Sequence, residues 1–232
     1  KMFPVINELN KNKKYFDFKI CLTGQHKQML KQVLDFFKIK PHLNIKVMKK
    51  NQSLENLTSN IIKKIGIVIK KIKPDLILVH GDTTSSLATT LASYYNKVKV
   101  AHIEAGLRTN NLYSPWPEEI NRSLISKIAQ IHFAPTQIAK KNLKNEGIDK
   151  SKILVTGNTV IDTLLIASNK VFKSKNIMRK LEKKFSNIKK NKRIILVTGH
   201  RRENFGKDFV NIFKSLKYIA EKNKNIIIIY PV

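Results

Sequence analysis

Residues 75–104, DLILVHGDTTSSLATTLASYYNKVKVAHIE, decide the fold. Asp75 to His80 is a short aliphatic run, Thr83 to Tyr95 carries a helical pattern, and Val98 to Glu104 is a second apolar run. Strand, helix and strand at this spacing form a βαβ unit, the connection that joins parallel neighbours. The alternation continues in both directions. Upstream, the pattern predicts a strand over 18–23 and helices over 26–37 and 54–71, while Met2, Val5, Ile6 and Leu9 line one face of an opening helix. Downstream, it predicts a helix over 118–128, a strand over 131–134, a helix over 138–146, a strand over 153–156 and a helix starting near Val160. The expected class is α/β with a mostly parallel, doubly wound sheet. Ligands in such sheets sit outside the carboxyl ends of the strands.

From Lys170 to Asn191 the chain is Lys-rich, helical in pattern and free of glycine, and then a strand over 193–198, a helix over 209–222 and a strand over 226–230 follow. We therefore expect an N-terminal domain over 1–170, a helical linker over 171–191 and the start of a second domain over 192–232. Two strands and one helix cannot close a core. The opening helix likewise lacks a strand before it, so the 232 residues are expected to be an internal piece of a longer protein.

Lys and Arg total 45 against 16 Asp and Glu, a net charge of +29, but only six of the 45 are Arg: residues 108, 122, 179, 193, 201 and 202. A planar guanidinium suits bidentate recognition of phosphate or carboxylate, so these six carry more information than the lysines. The lysines are scattered through every segment. That distribution reads as a solvated basic surface rather than a nucleic-acid footprint, and no nucleic-acid partner is expected. Cys21 is the single cysteine, which excludes an intrachain disulfide and a cysteine-based metal site. A reducing, cytoplasmic setting fits. No apolar run approaches the roughly 20 residues that span a bilayer, so no membrane association is expected.

The segment 102–122, HIEAGLRTNNLYSPWPEEINR, gathers carboxylates, Arg108, Arg122 and the only tryptophan in a chain otherwise dominated by Lys, Ile and Asn. Asp82 follows the strand over 75–80, Glu104 ends the next strand, and Glu118 opens the following helix. Each has an ordinary explanation too. Asp82 suits an N-cap, the glycine after Glu104 suits a tight turn as well as close approach to a ligand, and Glu118 and Glu119 after Pro117 suit a helix start. Their coincidence on successive connections of one parallel sheet favours a site, because three carboxylates at one crevice are costly without chemistry or a cation to need them. The stretch 198–206, TGHRRENFG, repeats the pattern with His200 and Arg201 at the end of a strand, suited to a diphosphate. Gly157-Asn158-Thr159 reads as a plain turn. P-loop, dinucleotide, HExxH and GxSxG fingerprints are absent from the sequence.

The ordered strings HGDTTSSLATTLA, HIEAGLR, LYSPWPEEINR, GNTVID and VTGHRRENFG resemble the non-hydrolysing UDP-N-acetylglucosamine 2-epimerases along nearly the whole chain. The resemblance implies two Rossmann-like domains in the glycosyltransferase type B arrangement, the second truncated. It also implies interconversion of UDP-N-acetylglucosamine and UDP-N-acetylmannosamine at carbon 2, feeding cell-surface polysaccharide synthesis, with no cofactor. It identifies Asp82, Glu104, Glu118 and His200 as catalytic, with Lys1, Asp82, Glu104, His200 and Arg201 on the UDP-sugar. Gln25, His26 and Met29 resemble the allosteric UDP-sugar pocket of bacterial members. A homodimer is implied for the full-length protein, and the piece alone is expected to be inactive. A UDP-sugar-dependent glycosyltransferase of the same architecture, or an inactive fragment with a non-specific basic surface, are the competing readings; the carboxylate trio favours the epimerase.

Overall fold

The computed structural model describes residues 1–24, 27–47, 52–186, 188, 191–198 and 207–231, and for 27–29, 207 and 208 the backbone alone. It divides into two compact units, Lys1–Leu165 and Ile166–Val232. Unit 1 opens with α1 (Phe3–Lys11), β1 (Cys21–Leu22), α2 (Lys27–Phe37), β2 (Leu43–Asn44) and α3 (Leu54–Ile72). There follow β3 (Leu76–His80), α4 (Thr84–Tyr95), β4 (Lys99–Ile103), α5 (Glu118–Ile128), β5 (Ile131–Ala134), α6 (Gln137–Asn145) and β6 (Ile153–Val155). α7 (Thr159–Lys173) runs across the division, and unit 2 continues with α8 (Lys175–Lys184), β7 (Arg193–Leu196), α9 (Lys207–Lys222) and β8 (Ile226–Ile229).

Among the described residues every strand pairing is parallel, as βαβ connections require. β3, β4, β5 and β6 lie in sequence order, with Leu78 opposite Ala101, His102 opposite His132 and Phe133 opposite Leu154. Their carboxyl ends therefore form one edge. β1 pairs with β2 and β7 with β8 as two further parallel ladders. β2, two residues long, was not expected, and the strand predicted over 18–23 shrinks to Cys21–Leu22. The helical pattern over 170–191 breaks into two helices at Ser174, whose hydroxyl accepts the Ile177 N–H at 3.3 Å and so starts α8 anew.

The core of unit 1 follows from spacing. In α3, Leu57, Ile61, Ile65 and Ile69 recur every fourth residue and bury as one stripe against Ala88 and Ala92 of α4. Small residues dominate the buried part of α4, Ser85, Ser86, Ala88, Thr90, Ala92 and Ser93 among them, which lets neighbouring elements approach closely. Each buried Ile or Leu stabilises by roughly 1.5–3 kcal/mol. Ser53 caps the start of α3 through the Asn56 N–H, and Lys73 ends it in a left-handed conformation (φ 51) just before Pro74. A second cluster joins α5 to the sheet through Val79, Val100, Ile125 and Ala129, and a third joins α6 through Ala105, Ala134, Ala139, Leu143 and Ile153.

Gly106 lies against two residues of that third cluster, Ala139 and Leu143. Its φ of 88 is left-handed, and a Cβ there would lie 2.8 Å from the Ala139 carbonyl carbon and 2.9 Å from Leu143 Cγ. The glycine thus admits α6 against the β4 connection, while its own carbonyl accepts from Asn142 Nδ2 at 2.9 Å. Sequence reasoning left a ligand approach or a turn open for this glycine; close packing of a helix is what the structure requires of it.

Candidate active site

Three strand ends supply the candidate residues. Gly81, following β3, has a φ of 66, and its carbonyl oxygen meets His102 Nε2 at 2.8 Å. Because a carbonyl only accepts, Nε2 carries the proton. His102 is fully buried, and desolvation pushes its pKa down to about 4, so the ring is neutral at physiological pH. The turn after β3 is thereby tied to β4.

Asp82 is not the helix cap. Thr83 takes that place, its hydroxyl accepting the Ser86 N–H at 3.3 Å, which leaves the Asp82 carboxylate for other work. Asp82 Oδ2 accepts from Arg122 Nη2 at 2.6 Å, and the Asp82 backbone carbonyl accepts from Asn121 Nδ2 at 2.8 Å. Both partners come from α5, which buries Glu119, Asn121, Arg122 and Ser126.

Glu104 sits one residue beyond β4 with φ 66, a left-handed backbone that costs a non-glycine residue about 1–3 kcal/mol. Its carboxylate receives Lys1 Nζ at 2.8 and 2.9 Å on its two oxygens and Asn158 Nδ2 at 2.9 Å, while His80 Nε2 stands 3.4 Å away. Burial alone would raise its pKa. The hydrogen bonds from Lys1 and Asn158, with the charge of Lys1 and the proximity of His80, outweigh that and hold it below the ordinary value. Burial is also the largest cause depressing His80. Lys1 reaches Glu104 from the start of α1, which is fixed by Phe3 stacking on Phe37 of α2 with ring centroids 4.0 Å apart.

Glu118 opens α5 half-buried, and its carboxylate makes no hydrogen bond or ion pair with any described residue. The next residue behaves oppositely. Glu119 is buried, accepts the N–H groups of Thr109 and Asn110 at 3.0 Å each, and lies 3.3 Å from Arg122 Nη1. Of two adjacent glutamates, one is engaged by the protein and one is left available. Tyr113 and Trp116, in the loop that Glu119 holds, are 78% and 57% exposed.

The predicted crowding of like charges is relieved by pairing, since Asp82 faces Arg122 and Glu104 faces Lys1. Arg108 grips a carboxylate rather than a phosphate: Glu146 at 2.8 Å through Nη2, with Ser126 Oγ at 3.0 Å. Asn158, read from sequence as part of a plain turn, does make turn bonds, its Oδ1 accepting the Val160 N–H at 3.0 Å, and its amide is in addition a direct partner of Glu104. The signal was available, because Asn158 follows β6 at the same sheet edge that marked Asp82 and Glu104. Asn121 and His80 were missed as well; Asn121 needed the packing of α5 against the β3 turn to be seen. His200, Arg201, Gln25 and His26 lie outside the described residues, and Met29 is described only as part of the α2 backbone. Among the described residues no helix is long and apolar enough to cross a membrane.

A parallel α/β sheet keeps its ligand crevice outside the carboxyl ends of its strands, and here that edge carries paired carboxylates, one on a strained backbone. The model for the UDP-N-acetylglucosamine 2-epimerase family matches residues 7–232, and the chain belongs to that family. The UDP-N-acetylglucosamine 2-epimerase of Neisseria meningitidis is 48% identical over 231 residues, and that of Salmonella typhimurium 45% over 232. Both alignments cover 100% of this chain; it spans 62% and 61% of the two relatives. A crystal structure of the Neisseria meningitidis UDP-GlcNAc 2-epimerase bound to UDP-GlcNAc superposes with a TM-score of 0.95 over 100% of this chain and 62% of its own. The Methanocaldococcus jannaschii enzyme in complex with UDP-GlcNAc and UDP is 34% identical with a TM-score of 0.84, over 100% of this chain and 62% of its own. These likenesses bear out the expected class, α/β of the glycosyltransferase type B kind.

Proposed function

We propose that the protein interconverts UDP-N-acetylglucosamine and UDP-N-acetylmannosamine by inverting carbon 2 of the sugar. The observation that carries this reading is Glu104: a carboxylate on a left-handed backbone at a strand end, gripped by Lys1 and Asn158, in a chain of this family. The carbon 2 proton adjoins no carbonyl and is poorly acidic. Elimination answers that difficulty. A base takes the proton from carbon 2 while the carbon 1–oxygen bond breaks, its electron pair leaving with UDP and a carbon 1–carbon 2 double bond forming. UDP then adds back at carbon 1 and a proton returns to carbon 2 on the opposite face.

Such chemistry needs acid/base groups on both faces of the ring and cationic support for the departing diphosphate. Asp82, Glu104 and Glu118 take the first role in this proposal, and His200 with Arg201 the second. Glu118 suits a proton carrier because no described group engages its carboxylate. Lys1, already on Glu104, holds the UDP-sugar beside it. Gln25, His26 and Met29 form the regulatory UDP-sugar site, and residues 192–232 belong to the UDP-binding domain. We assign the protein to the cytoplasm as a homodimer that supplies an amino sugar for polysaccharide synthesis.

The test is turnover of UDP-N-acetylglucosamine in heavy water by the protein as its gene encodes it. Deuterium should enter carbon 2 of both epimers, and Asp82→Asn, Glu104→Gln and Glu118→Gln should each lower the rate at least about 100-fold while remaining folded. Near-native exchange in all three variants would sink the assignment, and acceptor-dependent release of UDP without exchange would turn it toward a glycosyltransferase.

A further inference from the structure

α5 does two things at the sheet edge. Its first residue is Glu118, and its next turn holds Asp82 at two points, by side chain through Arg122 and by backbone through Asn121. The grip on the carboxylate is asymmetric. Arg122 Nη2 takes Oδ2 at 2.6 Å, and Oδ1 has no partner among the described residues. One oxygen is anchored and the other presented.

Arg122 is itself held from behind. Its Nη1 lies 3.3 Å from Glu119 Oε2, and the other Glu119 oxygen accepts the backbone N–H groups of Thr109 and Asn110. Ser126, one turn on, donates to the Arg122 carbonyl at 2.9 Å and accepts from Arg108. The Arg122 side chain is 10% exposed and that of Glu119 3%, so the charges run under the surface: Glu119 Oε2 attracts Arg122 as an ion pair without hydrogen-bond geometry, and the bond from Arg122 to Asp82 is the charge-assisted, directional one. A surface ion pair at the i, i+3 spacing would contribute little. A buried one whose far end meets a strand-end aspartate fixes geometry.

We propose that Arg122, braced by Glu119, is a positioning residue that aims the free oxygen of Asp82, so that α5 sets the distance between Asp82 and Glu118 as one rigid piece. This rests on the epimerase reading above for its catalytic consequence, though the physical coupling of Arg122 to Asp82 does not. A planar guanidinium held at one end by Glu119 and meeting Asp82 at the other cannot be replaced by a lysine ammonium without losing one of the two contacts.

Two measurements test it on the protein as its gene encodes it. The first is a thermal-melt cycle of Arg122→Met, Asp82→Asn and the double variant. The double variant should melt no lower than Arg122→Met alone; additive losses would overturn the coupling. The second is epimerisation kinetics. Arg122→Ala and Arg122→Lys should lose about 100-fold in kcat, the scale of a misplacement near 1 Å, with KM nearly unchanged. Free guanidinium should restore part of the loss in Arg122→Ala and none in Asp82→Asn. A rise in KM at constant kcat, or equal rescue of both variants, would overturn the positioning role. A parent protein without carbon 2 exchange sinks the epimerase reading and, with it, the catalytic half of this proposal; an active parent beside an unimpaired Arg122→Lys sinks the proposal alone.

Discussion

In unit 1, β4 buries Val100, Ala101, His102 and Ile103 in succession, with α4 and α5 packed near it; in unit 2, β7 is equally apolar, yet Ile194, Ile195 and Leu196 all stay exposed. Among the described residues of unit 2 none is buried, although Phe213 of α9 meets Tyr230 edge-on at 5.6 Å just beyond β8. Both regions form parallel strands and amphipathic helices from the same kinds of residue. What differs is whether an element has something pressed on each of its apolar sides. Local pattern makes a strand, and only a second layer makes a core.

Substitution of core residues should break the likeness between the units most clearly. Ile61→Ala, at a fully buried position of α3, should cost about 2–5 kcal/mol in denaturant unfolding. Leu196→Ala in β7, already 64% exposed, should cost less than about 1 kcal/mol. Equal losses would mean that unit 2 buries that face after all.

Acid should separate the units next. His102 and His132 of unit 1 are fully buried, and desolvation is the main cause holding both near pKa 4, below the ordinary 6.5. The unfolded chain therefore binds their protons first as pH falls. Their contribution is complete above pH 6.5 and is lost progressively toward pH 4, about 3 kcal/mol for each histidine. Melting followed from pH 7.5 to 4.5 should show this slope, and His102→Asn should flatten it. A slope unchanged by that substitution would place the proton uptake elsewhere.

The smallest effect sharpens the comparison from the other side. Thr83 caps α4 in unit 1 and Ser174 caps α8 in unit 2, each through one hydroxyl. Because a cap is local, Thr83→Ala and Ser174→Ala should each cost about 1 kcal/mol of helix stability, read by circular dichroism melts, whichever unit carries them.

Periodicity alone located α5 and β5 to the residue and most other elements within one or two positions, because strong amphipathic patterns leave little choice of face. Where it failed, the reasons are specific. β2 is two residues of ladder held by pairing with β1, too short to leave a pattern. Asn158 looked like turn chemistry because asparagine serves turns well, and its amide does its work only once β6 stands two strands from β4. Asp82 as a cap was refuted by one residue, since Thr83 took the amide.

The sequence by itself determined the α/β class, the parallel order of elements, the sheet edge where Asp82 and Glu104 meet, and the family, since these depend on local periodicity and on motifs contiguous in the chain. Tertiary structure alone decided how each carboxylate is used. That Arg122 faces Asp82 across 40 positions and Lys1 faces Glu104 across 103 is a matter of which surfaces pack. Charge and hydrogen bonding act over a few ångströms in space, and no spacing along the chain encodes them.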